Sequence, residues 1–171
     1  MINRVLMLVF FAHLFSACNT QPAPKTGLEE TEAGFNESAA VLDVMRKHLD
    51  AVTHRDTNEL KSTLSPDGNM CLILPGEEVI LSVDSFMSFH KKWFADTTWT
   101  FETRIIDAIV GPKLTSVVTE IMYREPERNG MPYYNRMTVT YVLQKIDGAW
   151  YVVQDHASSI EKSTDKVSKE T

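Results

Sequence analysis

The chain has 171 residues, of which 43% are hydrophobic, enough for a single domain that buries about two-thirds of its unfolded surface in one core. Its net charge is −6, with 23 acidic against 17 basic residues, and it has no Lys/Arg run or basic-aromatic stripe, so nucleic acid is not an expected partner. The two cysteines, Cys18 and Cys71, exclude a disulfide framework.

The chain opens on MINR, one positive charge, followed by the apolar run VLMLVFFAHLF and the small residues Ser16 and Ala17 before Cys18. That run is too short to cross a bilayer as a helix and has the layout of a cleaved signal peptide over residues 1–17. FSAC, residues 15–18, resembles the bacterial lipobox, which implies lipidation of Cys18 and a protein anchored to the bacterial cell envelope, on its periplasmic or extracellular face. An ordinary secretory signal is the competing reading. Residues 18–35 mix Pro, Gly, Thr and Glu with few apolar groups, the composition of a flexible tether between lipid and domain. With Cys18 lipidated, Cys71 has no partner within the chain and reads as a small buried apolar residue.

The globular part is expected over 36–160, with a polar tail over 161–171. Val41, Val44, Met45, His48, Leu49 and Val52 recur on one face of a helix for which Asn36 is a plausible N-cap. TNELKSTL predicts a short second helix capped by Asp56, and DSFMSFHKKWF a third with Phe86, Phe89, Trp93 and Phe94 on one side. CLIL and EVILSV, between these two helices, read as short strands. From Trp99 the period changes to two. TWTFETRIIDAIVG, LTSVVTEIMYRE, YYNRMTVTYVLQK and AWYVVQDHASS are strands separated by turn residues. The class is therefore α+β: a cone-shaped, curved antiparallel sheet packed against three N-terminal helices.

The helix pattern at 41–52, FHKKWF, RMTVTYVLQKIDGAW and VVQDHAS resemble the nuclear transport factor 2-like superfamily, in particular its SnoaL-like branch. The resemblance implies a scaffold used by isomerases, cyclases, hydrolases and dehydratases and also by non-catalytic association domains, so it does not select a function. It further implies dimers formed through the sheet. SnoaL-like cyclases carry an acid/base Asp late in the last strand, and the spacing from Gly148 to Asp155 matches that placement.

Asp155 and His156 are adjacent on a strand and point to opposite faces, so only one of them can enter a pocket. Met137, Val139, Tyr141 and Leu143 form the core face of the preceding strand. A two-residue turn at Asp147-Gly148 pairs Ile146 with Ala149 and sets Val139 opposite His156. A three-residue loop with Gly148 left-handed sets Val139 opposite Asp155. In that second register Tyr151, Val153 and Asp155 face the core, while Trp150, Val152, Gln154 and His156 face outward. Both registers are open, and the resemblance favours the second.

A carboxylate among Tyr141, Val139 and Val153 would have its pKa raised by burial, which suits proton transfer; the competing role for Asp155 is a structural bond to a backbone group or arginine. His156 is the alternative catalytic candidate, with a surface or interface histidine as its plainer role. Tyr141, Val139, Val153, Tyr151, Trp93, Trp99 and His48 are the candidate ligand-binding residues, and Asp107 could also point inward. His48 on its apolar helix face also fits a hydrogen-bonded core histidine. His54 and His90 share no ligand spacing with it, so no metal is expected, and no phosphate or dinucleotide motif calls for a cofactor. Tyr123, Tyr133 and Tyr134 flank a turn as pocket-rim or interface candidates. The functional expectation is a small, largely apolar organic ligand in a conical pocket, with acid/base chemistry of an isomerase, cyclase or hydrolase type. The alternative is a non-catalytic dimeric association module.

Overall fold

The computed structural model describes residues 27–76 and 79–164. The expected signal peptide and Cys18, with its expected lipidation, lie outside these residues. Three helices precede the long strands, in the order α1 (Gly27–Thr53), α2 (Thr57–Ser62), β1 (Cys71–Ile73), β2 (Val79–Leu81), α3 (Val83–Phe94), β3 (Thr100–Val110), β4 (Leu114–Arg128), β5 (Met131–Ile146) and β6 (Ala149–Lys162). The strands form one open sheet in the order β2-β1-β6-β5-β4-β3. All neighbours are antiparallel except β1 and β6, which run parallel. The α+β class is as expected.

Helix α1 starts at Gly27 and runs through Asn36, which is an interior residue and not the N-cap. The stretch 27–35, expected as tether, is the first part of this helix; Leu, Glu and Ala among its residues have good helical propensity. Asp56 does cap α2, its side chain accepting from the backbone N–H groups of Asn58 and Glu59 at 2.9 Å. Val41, Met45, Leu49 and Val52 of α1 are buried against Phe86 of α3 and the strand residues Val117, Val139, Tyr141 and Leu143. Among the described residues these buried core residues lie between Val41 and Ala157.

The β4–β5 and β5–β6 hairpins each turn on two residues with positive φ. Asn129 and Gly130 have φ of 56° and 82°, Asp147 and Gly148 of 49° and 86°, as a type I′ turn between right-twisted strands requires. Ile146 therefore pairs with Ala149, as in the first expected register. Leu143 pairs with Val152, but Val142 pairs with Gln154, so Val153 is an extra residue and the strand bulges there. Beyond the bulge Tyr141 faces Asp155, Thr140 faces His156 and Val139 faces Ala157.

Neither expected register holds along the whole hairpin. Trp150 and Val152, expected outside, are 4% and 0% exposed on the core face, and Tyr151 and Val153 are the residues that leave it. Trp150 Nε1 donates to Glu37 Oε2 of α1 at 2.9 Å, and Lys145 Nζ also binds that carboxylate. Cys71 is half-buried, not buried. Asp107 adjoins a bulge in β3 and is exposed, so it does not point inward.

Candidate functional site

The concave face of the sheet and the helices enclose a half-open cavity of about 490 Å³. The sheet register shows how its floor is built. One cross-strand row is Tyr141, Asp155 and Leu72, from β5, β6 and β1. Val139 and Ala157 form the next, then Ile121 and Met137, then Tyr123, Asn135 and Lys162, with Glu125 and Tyr133 last. Val52 of α1 and Phe89, His90 and Trp93 of α3 supply the facing wall. The floor is apolar in the middle, with a carboxylate at one end and an amide and charged groups at the other.

Asp155 enters this cavity and the exposed His156 does not. Asp155 Oδ1 is shut off from solvent and has no hydrogen-bond partner. Burial pushes its pKa up from the ordinary 3.8 to about 7, because an unpaired charge is poorly solvated there. The competing structural role, a bond to a backbone group or an arginine, is not observed at Oδ1. Burial and the neighbouring Asp155 carboxylate hold the Tyr141 hydroxyl well above its ordinary value, so it remains a neutral phenol.

Two buried histidines lie close by, with contacts that define their protonation. His90 Nδ1 is 2.9 Å from the Phe86 carbonyl, which only accepts, so Nδ1 carries the proton and Nε2 remains an acceptor. Its pKa is lowered to about 4 by burial. Thr63 Oγ1 donates to the Leu60 carbonyl at 2.7 Å and so receives the Nδ1 proton of His48 at 2.8 Å. Burial, followed by the effect of His90, lowers the His48 pKa to about 3. Both imidazoles are neutral at physiological pH.

At the other end, Tyr123 donates to Glu125 Oε1 at 2.6 Å, and Arg128 Nε donates to Oε2 of the same carboxylate at 2.8 Å. The guanidinium of Arg128 also lies 3.5 Å from the ring centre of Tyr133. Burial, and then the Glu125 bond, push Tyr123 to about 12. Asn135 is 8% exposed, and its Oδ1 is buried without a partner. Thr115 and Ser159 also have unpartnered hydroxyls, but neither lines the cavity.

Of the expected ligand-binding residues, Tyr141, Val139 and Trp93 line the cavity, whereas Val153, Tyr151, Trp99 and His48 do not. The bulge carries Tyr151 and Val153 off the core face. His48 is 1% exposed and committed to Thr63, its structural role. Trp99 stacks behind Trp93 at 4.4 Å, with its Nε1 donating to the Trp93 carbonyl at 3.2 Å and Arg55 over its other side at 3.7 Å. Tyr123 and Tyr133 line the cavity as rim candidates and Tyr134 does not. Sequence reasoning missed Asn135 and His90. Asn135 lies two positions before Met137, so the strand period already placed it on the core face, and His90 lies one helical turn after Phe86. Among the described residues no group of His, Cys, Asp or Glu could hold a metal ion.

Solved structures with the same fold are numerous, and the three described next are at low identity. A nuclear transport factor 2-like protein from Streptomyces avermitilis is 16% identical, with a TM-score of 0.64 over 74% of this chain and 98% of its own. A ketosteroid isomerase-like protein from Erwinia carotovora atroseptica is also 16% identical, with a TM-score of 0.62 over 72% and 95% of the two chains. A calcium/calmodulin-dependent protein kinase type II association domain homologue from Thiobacillus denitrificans is 13% identical, at 0.59 over 69% and 93%. These likenesses establish the fold. No protein with a curated description matches the sequence. The sequence profile of the SnoaL-like domain matches residues 41–161, which include Asp155 and every cavity-lining residue except Lys162, and on that match the chain belongs to the SnoaL-like family.

Proposed function

We propose that this SnoaL-like domain binds a small, largely apolar organic molecule in its cavity, and that Asp155 transfers a proton on it. The observation that carries the reading is the unpartnered Asp155 Oδ1 in a cavity of about 490 Å³. That volume falls within the range of small-molecule pockets, roughly 300–1,000 Å³. With a pKa of about 7, the carboxyl is present in both protonation states near neutrality. Its carboxylate can accept a proton from a carbon next to a carbonyl and return it to another position, the balance of an isomerisation. Tyr141, a neutral phenol on the same wall, is a donor available to an oxygen that gains charge during that step.

The test uses a medium-chain methyl ketone and the soluble chain 19–171. Binding is read from NMR shifts, and deuterium uptake from heavy water next to the carbonyl from mass spectrometry. Uptake that is accelerated by wild type and lost in Asp155→Asn supports proton transfer. Binding without accelerated uptake would leave a ligand-binding or association module, and absence of both would remove the ligand reading.

Two further parts of the proposal rest on other residues. Lipidation of Cys18 would anchor the domain to the bacterial envelope, supported by FSAC and the apolar run before it. A palmitate analogue should label wild type and not Cys18→Ala; equal labelling would refute the anchor. A homodimer would form through the outer sheet face, where Val118, Thr140 and His156 make one cross-strand row with Thr138 beside it. Trp150 has no part in that face. Sedimentation of 19–171 as a monomer at tens of micromolar would argue against the dimer and the association reading together.

A further inference from the structure

We propose that Asn135 forms a second polar pole of the cavity, so that the ligand is elongated, with an apolar middle and a hydrogen-bonding group at each end. This deepens the ligand-binding reading above and rests on it.

Asn135 Oδ1 and Asp155 Oδ1 are both shielded from solvent, both unpartnered, and both on residues that line the same cavity. An unpaired buried amide oxygen costs about as much as a lost hydrogen bond, so two in one cavity call for an explanation. They cannot satisfy each other. Tyr141 faces Asp155, and from Tyr141 back to Asn135 the chain runs roughly 20 Å of strand, shortened by the curvature of the sheet. Between them the floor consists of Val139, Ala157, Met137 and Ile121, which offer no hydrogen bond.

Neither Arg128 nor Lys162, which pairs with Asn135 across the strands, hydrogen-bonds the Asn135 Oδ1. Arg128 is taken by Glu125, which also receives the Tyr123 hydroxyl. The amide oxygen therefore presents an acceptor to whatever occupies that end, and a hydroxyl or amide N–H on the ligand satisfies it. A wholly apolar ligand would leave it buried and unpaired, so Asn135 selects for a terminal polar group.

Two probes differing in that group alone test this on the chain 19–171: decanol, and decane with a hydroxyl at both ends. Binding is followed by NMR shift titration. Wild type should bind the diol about tenfold more tightly than decanol, the factor expected of one hydrogen bond to a buried partner. Asn135→Leu should remove that preference, so that the two probes bind with affinities within about twofold of each other. Asn135→Ser, smaller and still polar, takes the place of Asn135→Leu if the latter does not fold, and should reduce the preference selectively. Equal binding of both probes by wild type would overturn the proposal, with water then the partner of Asn135, while leaving the ligand reading intact. An equal loss of both probes in the variants would make Asn135 structural. Failure of wild type to bind either probe would instead overturn the ligand reading itself.

Discussion

Tyr141 and Asp155 stand directly opposite each other on β5 and β6, although the turn that joins these strands pairs Ile146 with Ala149 and would by itself place Gln154 there. The displacement comes from Val153, the one unpaired residue between them. Because side chains alternate along a strand, one extra residue exchanges the faces of the residues beyond it, here as far as a second extra residue at Ile160. Without the bulge His156 would face inward and Asp155 outward.

The buried carboxyl predicts a pH dependence of stability. Asp155 has a folded pKa of about 7 against an ordinary 3.8, so between those values the native state binds more protons than the unfolded one. Its contribution is complete below about pH 4, declines as pH rises toward about 7 and then stays constant, a loss on the order of 4 kcal/mol at most. Asp155→Leu should accordingly be more stable than wild type at pH 8, with much less of an advantage at pH 4. Urea unfolding at the two pH values measures this. An advantage of equal size at both would show that the carboxyl is not the cause.

His48 and His90 act in the opposite sense. Their folded pKa values, about 3 and about 4, lie below the ordinary 6.5, so the unfolded state binds more protons as pH falls beneath that value. The stability they confer is complete above about pH 6.5 and is lost as pH falls toward 4. In the Asp155→Leu background, stability should therefore rise monotonically from pH 4 to 6.5. NMR titration of the imidazole carbons should show both histidines neutral from pH 6.5 down to about pH 5, with His90 beginning to titrate only toward pH 4, and a shift of either near pH 6.5 would refute the burial argument.

Trp150 separates core from interface. It is 4% exposed, with its indole N–H bound to Glu37 of α1. Trp150→Ala should cost about 3–5 kcal/mol of unfolding free energy, as for other buried aromatics. Sedimentation of the folded variant should be unchanged, since the side chain lies away from the proposed dimer face. A dissociated but equally stable variant would reverse that assignment.

Ala157 lies on the cavity floor beside Val139, with open space above it. Ala157→Phe should place its ring in that space and weaken decanol binding at least about tenfold, while unfolding changes by no more than the roughly 1–3 kcal/mol typical of overpacking. Unchanged binding with intact folding would mean that decanol sits elsewhere.

Much of the architecture is local physics and was therefore readable from the sequence. The 3.6-residue period of Val41 to Val52, the Asp56 cap, the alternation of Met137, Val139, Tyr141 and Leu143, and Asp147-Gly148 as a turn each depend on neighbours a few residues away. Asn135 was equally available by the same alternation and went unread because its polarity concealed it in a core-facing position. The face of Asp155 was different. The turn sequence fixes the pairing next to it, and it says nothing about an extra residue further along. That residue is accommodated because Trp150 and Val152 bury against the helices on one side of the bulge, while Asp155 and Ala157 face the cavity on the other. Satisfying both with one strand requires a change of phase at Val153, and only packing between elements distant in sequence imposes it. The start of α1 has a similar explanation in reverse: the lack of apolar residues in 27–35 reads as a tether, yet a helix already held by Val41, Met45 and Leu49 extends backward through Leu28, Glu29, Glu30, Glu32 and Ala33.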